Sequence, residues 1–203
     1  MERRRNGREG PLEPHPFRAK TARMHVGDRV AVYGPSGSGK TTLARRLGEQ
    51  LGLPVVELDA IMHSRPDWND LSIEEFRAAV TEILEQLGDR WVIEGNYRAV
   101  RDLILPYATT AVWLRLPFHT VYPRLVSRTL RRGIRRELLW GSNRESLRMA
   151  FTSRDSMLLW GVTAWRGHRR QMTISLAAAP PSVRVVVLRT PRAVRRFTVT
   201  ARR

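Results

Sequence analysis

Residues 34–42 read "GPSGSGKTT", and this stretch decides the fold. Gly34, Pro35, Ser36, Gly37, Ser38, Gly39, Lys40 and Thr41 satisfy the spacing G-x-x-x-x-G-K-[ST]. Glycines let the backbone curl until its N–H groups point inward at an anion. The helix that follows adds the positive end of its dipole. Lys40 is then long enough to reach the β- and γ-phosphates of a nucleoside triphosphate, and the Thr41 hydroxyl is placed to ligate Mg²⁺. Thr42 completes the run. The expected ligands are ATP and Mg²⁺.

Working outward, the loop sits between an apolar strand candidate, "RVAVYG" (29–34), and a helix whose Leu43, Leu47 and Leu51 form one apolar stripe. Further strand candidates are "PVVELD" (54–59), "RWVIEG" (90–95), "TAVWLRL" (110–116) and "VRVVVLR" (183–189). Their nearly continuous apolar character predicts strands covered on both faces. A second helix is predicted over 72–87. Ser72 and Glu75 form a capping box at its start, Phe76, Val80, Ile83, Leu84 and Leu87 mark its buried side, and Gly88 ends it. Alternation of strands and helices predicts an α/β fold with a parallel sheet.

Asp59 is expected to end the second strand and Glu94 the third. Ligands of open parallel sheets sit outside the carboxyl ends of the strands, so both carboxylates should face the triphosphate. Glu94 is the candidate metal-side acid, directly or through water. Asp59 is the candidate group for orienting or deprotonating an acceptor hydroxyl.

The 203-residue chain is long enough for one sizeable domain. It contains no cysteine, which excludes disulfides, thiolate metal sites and cysteine nucleophiles and fits a reducing, cytoplasmic setting. No apolar run approaches the roughly 18 residues of a membrane span. The formal charge of +17 comes almost wholly from arginine, since Lys20 and Lys40 are the only lysines. Charge alone argues for non-specific attraction, and no helix-turn-helix or zinc-finger pattern accompanies it, so nucleic acid is not the expected partner. Residues 1–23 are rich in Arg, Pro and Gly without apolar period and are expected to be a disordered basic extension ahead of a domain over 24–203.

The stretch "GPSGSGKTTLARRLGEQLGLPVVELDA", with "RPDWND" and "WVIEGNYR", resembles the adenylate-kinase-related P-loop kinases, most of all the small bacterial topology modulation proteins. The resemblance covers about residues 26–198. It implies a three-layer P-loop fold with a five-stranded parallel core, an acceptor-binding segment after the second strand and a helical lid after the fourth. Glu94-Gly95-Asn96-Tyr97-Arg98 occupies the place of the family's Asp-Gly-Phe-Pro-Arg motif. Glu94 would then be the metal-side acid, Arg98 would hold the acceptor phosphate, and Asn96 would lie at the acceptor. Asn-Tyr in place of Phe-Pro, and a short segment between the second and third strands, leave the acceptor open beyond AMP.

Arg124 and Arg128 lie four apart on one face of a helix predicted over 118–131 and resemble the arginines that cover adenine and the γ-phosphate. The lid is expected over about 129–147, with Arg131, Arg132, Arg135 and Arg136 as phosphate-reaching candidates. A further helix is expected over 145–172, with His168-Arg169-Arg170 on a solvated face. The reading is an ATP-dependent phosphotransferase acting on a small acceptor, in which a nucleotide remains an option. The alternative is a nucleotide-binding regulator associated with nucleic acid.

Overall fold

The computed structural model describes residues 24–135, 138–139, 143–144 and 165–202. Along the chain run β1 (Met24–His25), β2 (Arg29–Tyr33), α1 (Lys40–Leu51), β3 (Val55–Glu57), α2 (Leu58–Met62), α3 (Ile73–Leu87), β4 (Trp91–Glu94), α4 (Arg101–Ile104), β5 (Thr110–Leu114), α5 (Phe118–Arg135), β6 (Leu138–Leu139), β7 (Asn143–Arg144), α6 (Trp165–Ala177), β8 (Arg184–Leu188), α7 (Pro191–Thr200) and β9 (Ala201–Arg202). Five strands form one parallel sheet in the order β3-β4-β2-β5-β8. The phosphate-loop strand, β2, is therefore central.

Side chains alternate across this sheet as the two-residue period requires. Ala31 and Tyr33 enter a core layer with Leu58, Phe76, Trp91, Ile104, Trp113 and Met172. Val30 and Val32 enter the opposite layer with Leu43, Leu47, Leu51, Leu114 and Phe197. Helices thus cover both faces, which explains why the strands carry no polar side in the sequence. The fold is the expected three-layer α/β arrangement around five parallel strands.

Local signals resolve as their chemistry dictates. Ser72 accepts from the Glu75 N–H, and Glu75 returns a bond to the Ser72 N–H at 2.9 Å, so the capping box is complete. Gly88 closes α3. Two boundaries differ from expectation. The strand predicted over 54–59 ends at Glu57, and Asp59 stands in the first turn of α2. Among the described residues this edge strand pairs only with β4, and a carboxylate in a first turn is favoured by the helix dipole. The helix predicted to end at residue 131 runs to Arg135.

Beyond α5 the expected helical lid takes a different form among the described residues. Leu138 and Leu139 pair antiparallel with Arg144 and Asn143. β7 lies beside the turn at Pro66–Trp68. The expected disorder of 1–23, the rest of the lid, and the helix predicted over 145–164 lie outside the described residues. A small parallel pair, β1 with β9, ties Met24 to Ala201 and was not expected from the sequence.

Candidate active site

The loop after β2 takes the conformation its glycines permit. Gly37 and Gly39 have φ of 82° and 88°, the left-handed region that side-chain-bearing residues avoid. A Cβ on Gly37 would also lie 2.8 Å from the Val121 carbonyl of α5. Gly39 caps α1, so the helix begins at Lys40 and directs its free N–H groups at the loop.

Three strand ends bring charge to this point. Lys40 Nζ lies 3.4 Å from Glu94 Oε2 and 3.6 Å from Asp59 Oδ2. Thr41 Oγ1 donates to Glu94 Oε1 at 2.6 Å. Glu94 is 1% exposed and Lys40 7%, so the cluster is largely withdrawn from water. Burial pushes the Glu94 carboxyl above the usual range, and neither the Lys40 charge nor the Thr41 bond fully offsets it. Glu94 Oε2 is buried and lacks a hydrogen-bond partner. A buried acceptor left without a hydrogen bond costs stability; with only the Lys40 charge at 3.4 Å, it has capacity for a cation beside the Thr41 hydroxyl. This all-oxygen pair suits a hard cation such as Mg²⁺, which keeps waters and substrate oxygens in most of its positions. Among the described residues no cluster of three or more His, Cys, Asp or Glu could hold a metal alone.

The Asn96 side chain holds the phosphate loop. Its Oδ1 accepts from the Gly34 N–H at 3.1 Å, and its Nδ2 donates to the Gly34 carbonyl. Both ends of the amide hold the first residue of the phosphate loop, across 62 positions of sequence. Asn96→Ala would leave two polar groups of buried Gly34 unpaired, at a cost of about 1–3 kcal/mol. The expected result is a lower urea midpoint and weaker nucleotide binding; an unchanged midpoint would mean that water replaces the clasp.

On the other side of Lys40, the Tyr97 hydroxyl lies near Asp59, and burial together with that carboxylate holds Tyr97 firmly protonated. The same hydroxyl lies 3.4 Å from His63 Nε2, whose ring Nδ1 meets Asp70. Tyr97 packs against Phe76 with ring centroids 4.9 Å apart. Asp59 thus faces Lys40 with Tyr97 nearby, while its side chain stays 30% exposed. Arg98 is exposed at the same end.

The sequence matches the AAA domain family over residues 30–203. The chain belongs to the AAA domain family. Among curated proteins, threonine synthase-like 1 of Homo sapiens is 32% identical over 76 residues, 37% of this chain and 9% of that protein. Its Mus musculus counterpart is 32% identical over 79 residues. The chain thus spans about 9% of the length of these curated relatives. Among solved structures, a sugar kinase from Janibacter sp. HTCC2649 is similar at 20% identity and a TM-score of 0.47, covering 85% of this chain and 93% of that one. A gluconokinase from Sinorhizobium meliloti 1021 is similar at 19% identity and a TM-score of 0.47, covering 87% and 93%.

In this AAA domain, α5 and α6 close over the phosphate loop. Pro35 and Ser36 form a narrow cleft with Phe118, Tyr122, Leu125, Trp165 and His168. Arg124 is exposed on α5 and Arg128 is half-buried one helical turn further on. Thr42 is exposed at the start of α1. His168, expected on a solvated face, is half-buried, and burial with the Arg101 and Lys40 charges lowers its pKa. Sequence reading missed His168, Tyr97 and Arg101 because each acquires its neighbours only when distant segments pack. No helix among the described residues is long and apolar enough to cross a membrane.

Proposed function

We propose that this AAA domain is a cytoplasmic phosphotransferase that moves the γ-phosphoryl group of ATP, with Mg²⁺, to a small acceptor, and that within its family it is adenylate-kinase-like in plan. The observation that carries this reading is one contact set: Lys40 Nζ between Glu94 and Asp59, with Thr41 tied to Glu94, at the mouth of a left-handed glycine loop.

Each residue has a distinct task. The loop amides and the α1 terminus hold the phosphates. Lys40 neutralises β- and γ-oxygens as charge shifts toward the leaving diphosphate. Thr41 and Glu94 would hold Mg²⁺, which when bound neutralises phosphate charge and fixes the triphosphate geometry. Asp59, beside Lys40 and near Tyr97, takes the acceptor hydroxyl proton. The acceptor oxygen then forms a bond to the γ-phosphorus while the bond from that phosphorus to the β–γ bridging oxygen breaks, releasing ADP. Arg98 serves an acceptor phosphate where there is one, and Arg124 and Arg128 approach the nucleotide from α5.

The test uses γ-labelled ATP with Mg²⁺ against polyols, hydroxy acids, sugar phosphates and nucleoside monophosphates. The expected result is label in one acceptor class, lost on chelation with EDTA. Label recovered only as orthophosphate with every acceptor would make the protein a slow hydrolase instead.

A further inference from the structure

Arg101 is 8% exposed. Arginine is almost never so buried without an opposite charge, because neutral hydrogen bonds alone rarely offset the loss of its hydration. Yet among the described residues every hydrogen-bond partner it has is neutral. One terminal nitrogen donates to Ser175 Oγ of α6 at 2.9 Å and the other to the Asn96 carbonyl at 3.3 Å. The guanidinium lies over the Tyr33 ring, 5.9 Å from its centroid. Its Nε is buried with no hydrogen-bond partner. Burial is the main force against its protonation, the Tyr33 hydroxyl favours it, and the like charge of Arg98 adds a smaller opposition.

The location connects this cation to the site above. Asn96, whose carbonyl it holds, clasps Gly34 with its side chain. Tyr33 is the residue before Gly34. Tyr33, Val100 and Ile104 belong to the core layer that also takes Leu58 and Tyr97, so Arg101 lies on the face of the sheet that carries Asp59 and Tyr97. Among the described residues this is a desolvated guanidinium without a carboxylate, with a second arginine three positions earlier and bonded to the segment that carries Tyr97, and it has the make-up of an oxyanion seat that lacks its anion. An arginine fork matches a carboxylate or a phosphate equally well.

We infer that Arg101, with Arg98, holds an oxyanion of the acceptor, so that the acceptor is a small anionic molecule carrying a separate hydroxyl for Asp59. This rests on the phosphotransferase reading given above. It narrows the acceptor to hydroxy acids or phosphate-bearing alcohols and excludes neutral polyols.

The experiment first fills the phosphate loop with Mg²⁺ and a non-hydrolysable ATP analogue, followed by calorimetry. Failure at that step would sink the nucleotide reading itself, and the inference with it. Glycerate, glycerol 3-phosphate and glycerol are then titrated into the filled protein; they share a skeleton and differ in the anionic group. The expected result is saturable binding of one or both anions and none of glycerol, and the preferred anion identifies carboxylate or phosphate. Arg101→Gln should weaken that binding about tenfold or more, the scale of a lost charge-assisted hydrogen bond. Affinity for the ATP analogue should fall by less than the anion's, since Arg101 meets the loop only indirectly, through the Asn96 carbonyl. Arg98 is exposed, so Arg98→Ala keeps the test available if the buried substitution fails to fold, and it should weaken the same anion severalfold. Equal binding of glycerol and the anions, no anion binding to the wild type, or anion binding unchanged in the folded variants would overturn the inference.

Discussion

Lys40→Ala is expected to lower ATP-dependent turnover by about 10³-fold or more, the scale of removing a group that meets charge as it develops on a transferring phosphoryl. The side chain is 8% exposed and stands between two carboxylates, so its loss also removes their shared counter-charge. Leaving a buried ion unpaired would cost about 3–5 kcal/mol if the charge stayed. Glu94 has an escape, because burial already pushes its carboxyl upward and the loss of Lys40 pushes it further. The variant should therefore fold with Glu94 protonated and be most stable at low pH. Turnover measured beside a thermal melt separates the two effects. A melt near that of the wild type with turnover intact would remove Lys40 from the mechanism.

Glu94→Gln is the second large effect, and it separates function from stability. The amide can still accept the Thr41 hydroxyl but can no longer bring negative charge to Mg²⁺. Turnover should fall by about 10²–10³-fold, as for other single electrostatic groups, with Mg²⁺ dependence flattened. Stability should move the other way. The folded-state pKa of Glu94 is raised, so between the ordinary carboxylate value and the raised one the folded protein keeps a proton that the unfolded chain has lost. Stability contributed by that proton is fully present below the unfolded value and is lost as pH rises through the folded one. At pH 8, without nucleotide, the neutral amide should stabilise the protein by about 1 kcal/mol, or roughly 2–4 °C in melting temperature for a chain of this size. Lys40 keeps Asp59 as a partner in this variant. A variant that melts lower and turns over normally would contradict both halves.

How much of this was legible in the sequence follows from the range of each signal. The glycine loop, the stripe of Leu43, Leu47 and Leu51 and the Ser72–Glu75 box are local patterns, and they fold as local chemistry requires. The five strands were legible because sheets covered on both faces carry continuous apolar runs. Strand ends were less so: "PVVELDAIM" is apolar enough for a strand or a helix, and the change from β3 to α2 at Leu58 follows from the edge position and from packing. Asn96 could be placed near the site by resemblance, but its two bonds to Gly34 depend on β4 lying beside β2, a fact of sheet order. Arg101 read as one arginine among many; only its burial against Tyr33 and Ser175 distinguishes it. The pairing of Leu138–Leu139 with Asn143–Arg144 had no periodic signal, since two residues per strand are too few to show alternation.

The central claim is that Lys40, Thr41 and Glu94 together form a magnesium–triphosphate site, and calorimetric titration of a non-hydrolysable ATP analogue tests it most directly. The account predicts saturable binding at one site per chain, strengthened by Mg²⁺ in the wild type, no longer strengthened by Mg²⁺ in Glu94→Gln, and weakened at least tenfold in Lys40→Ala, as the loss of a charged phosphate contact requires. Absence of saturable binding, or binding indifferent to Mg²⁺ and to both substitutions, would contradict it.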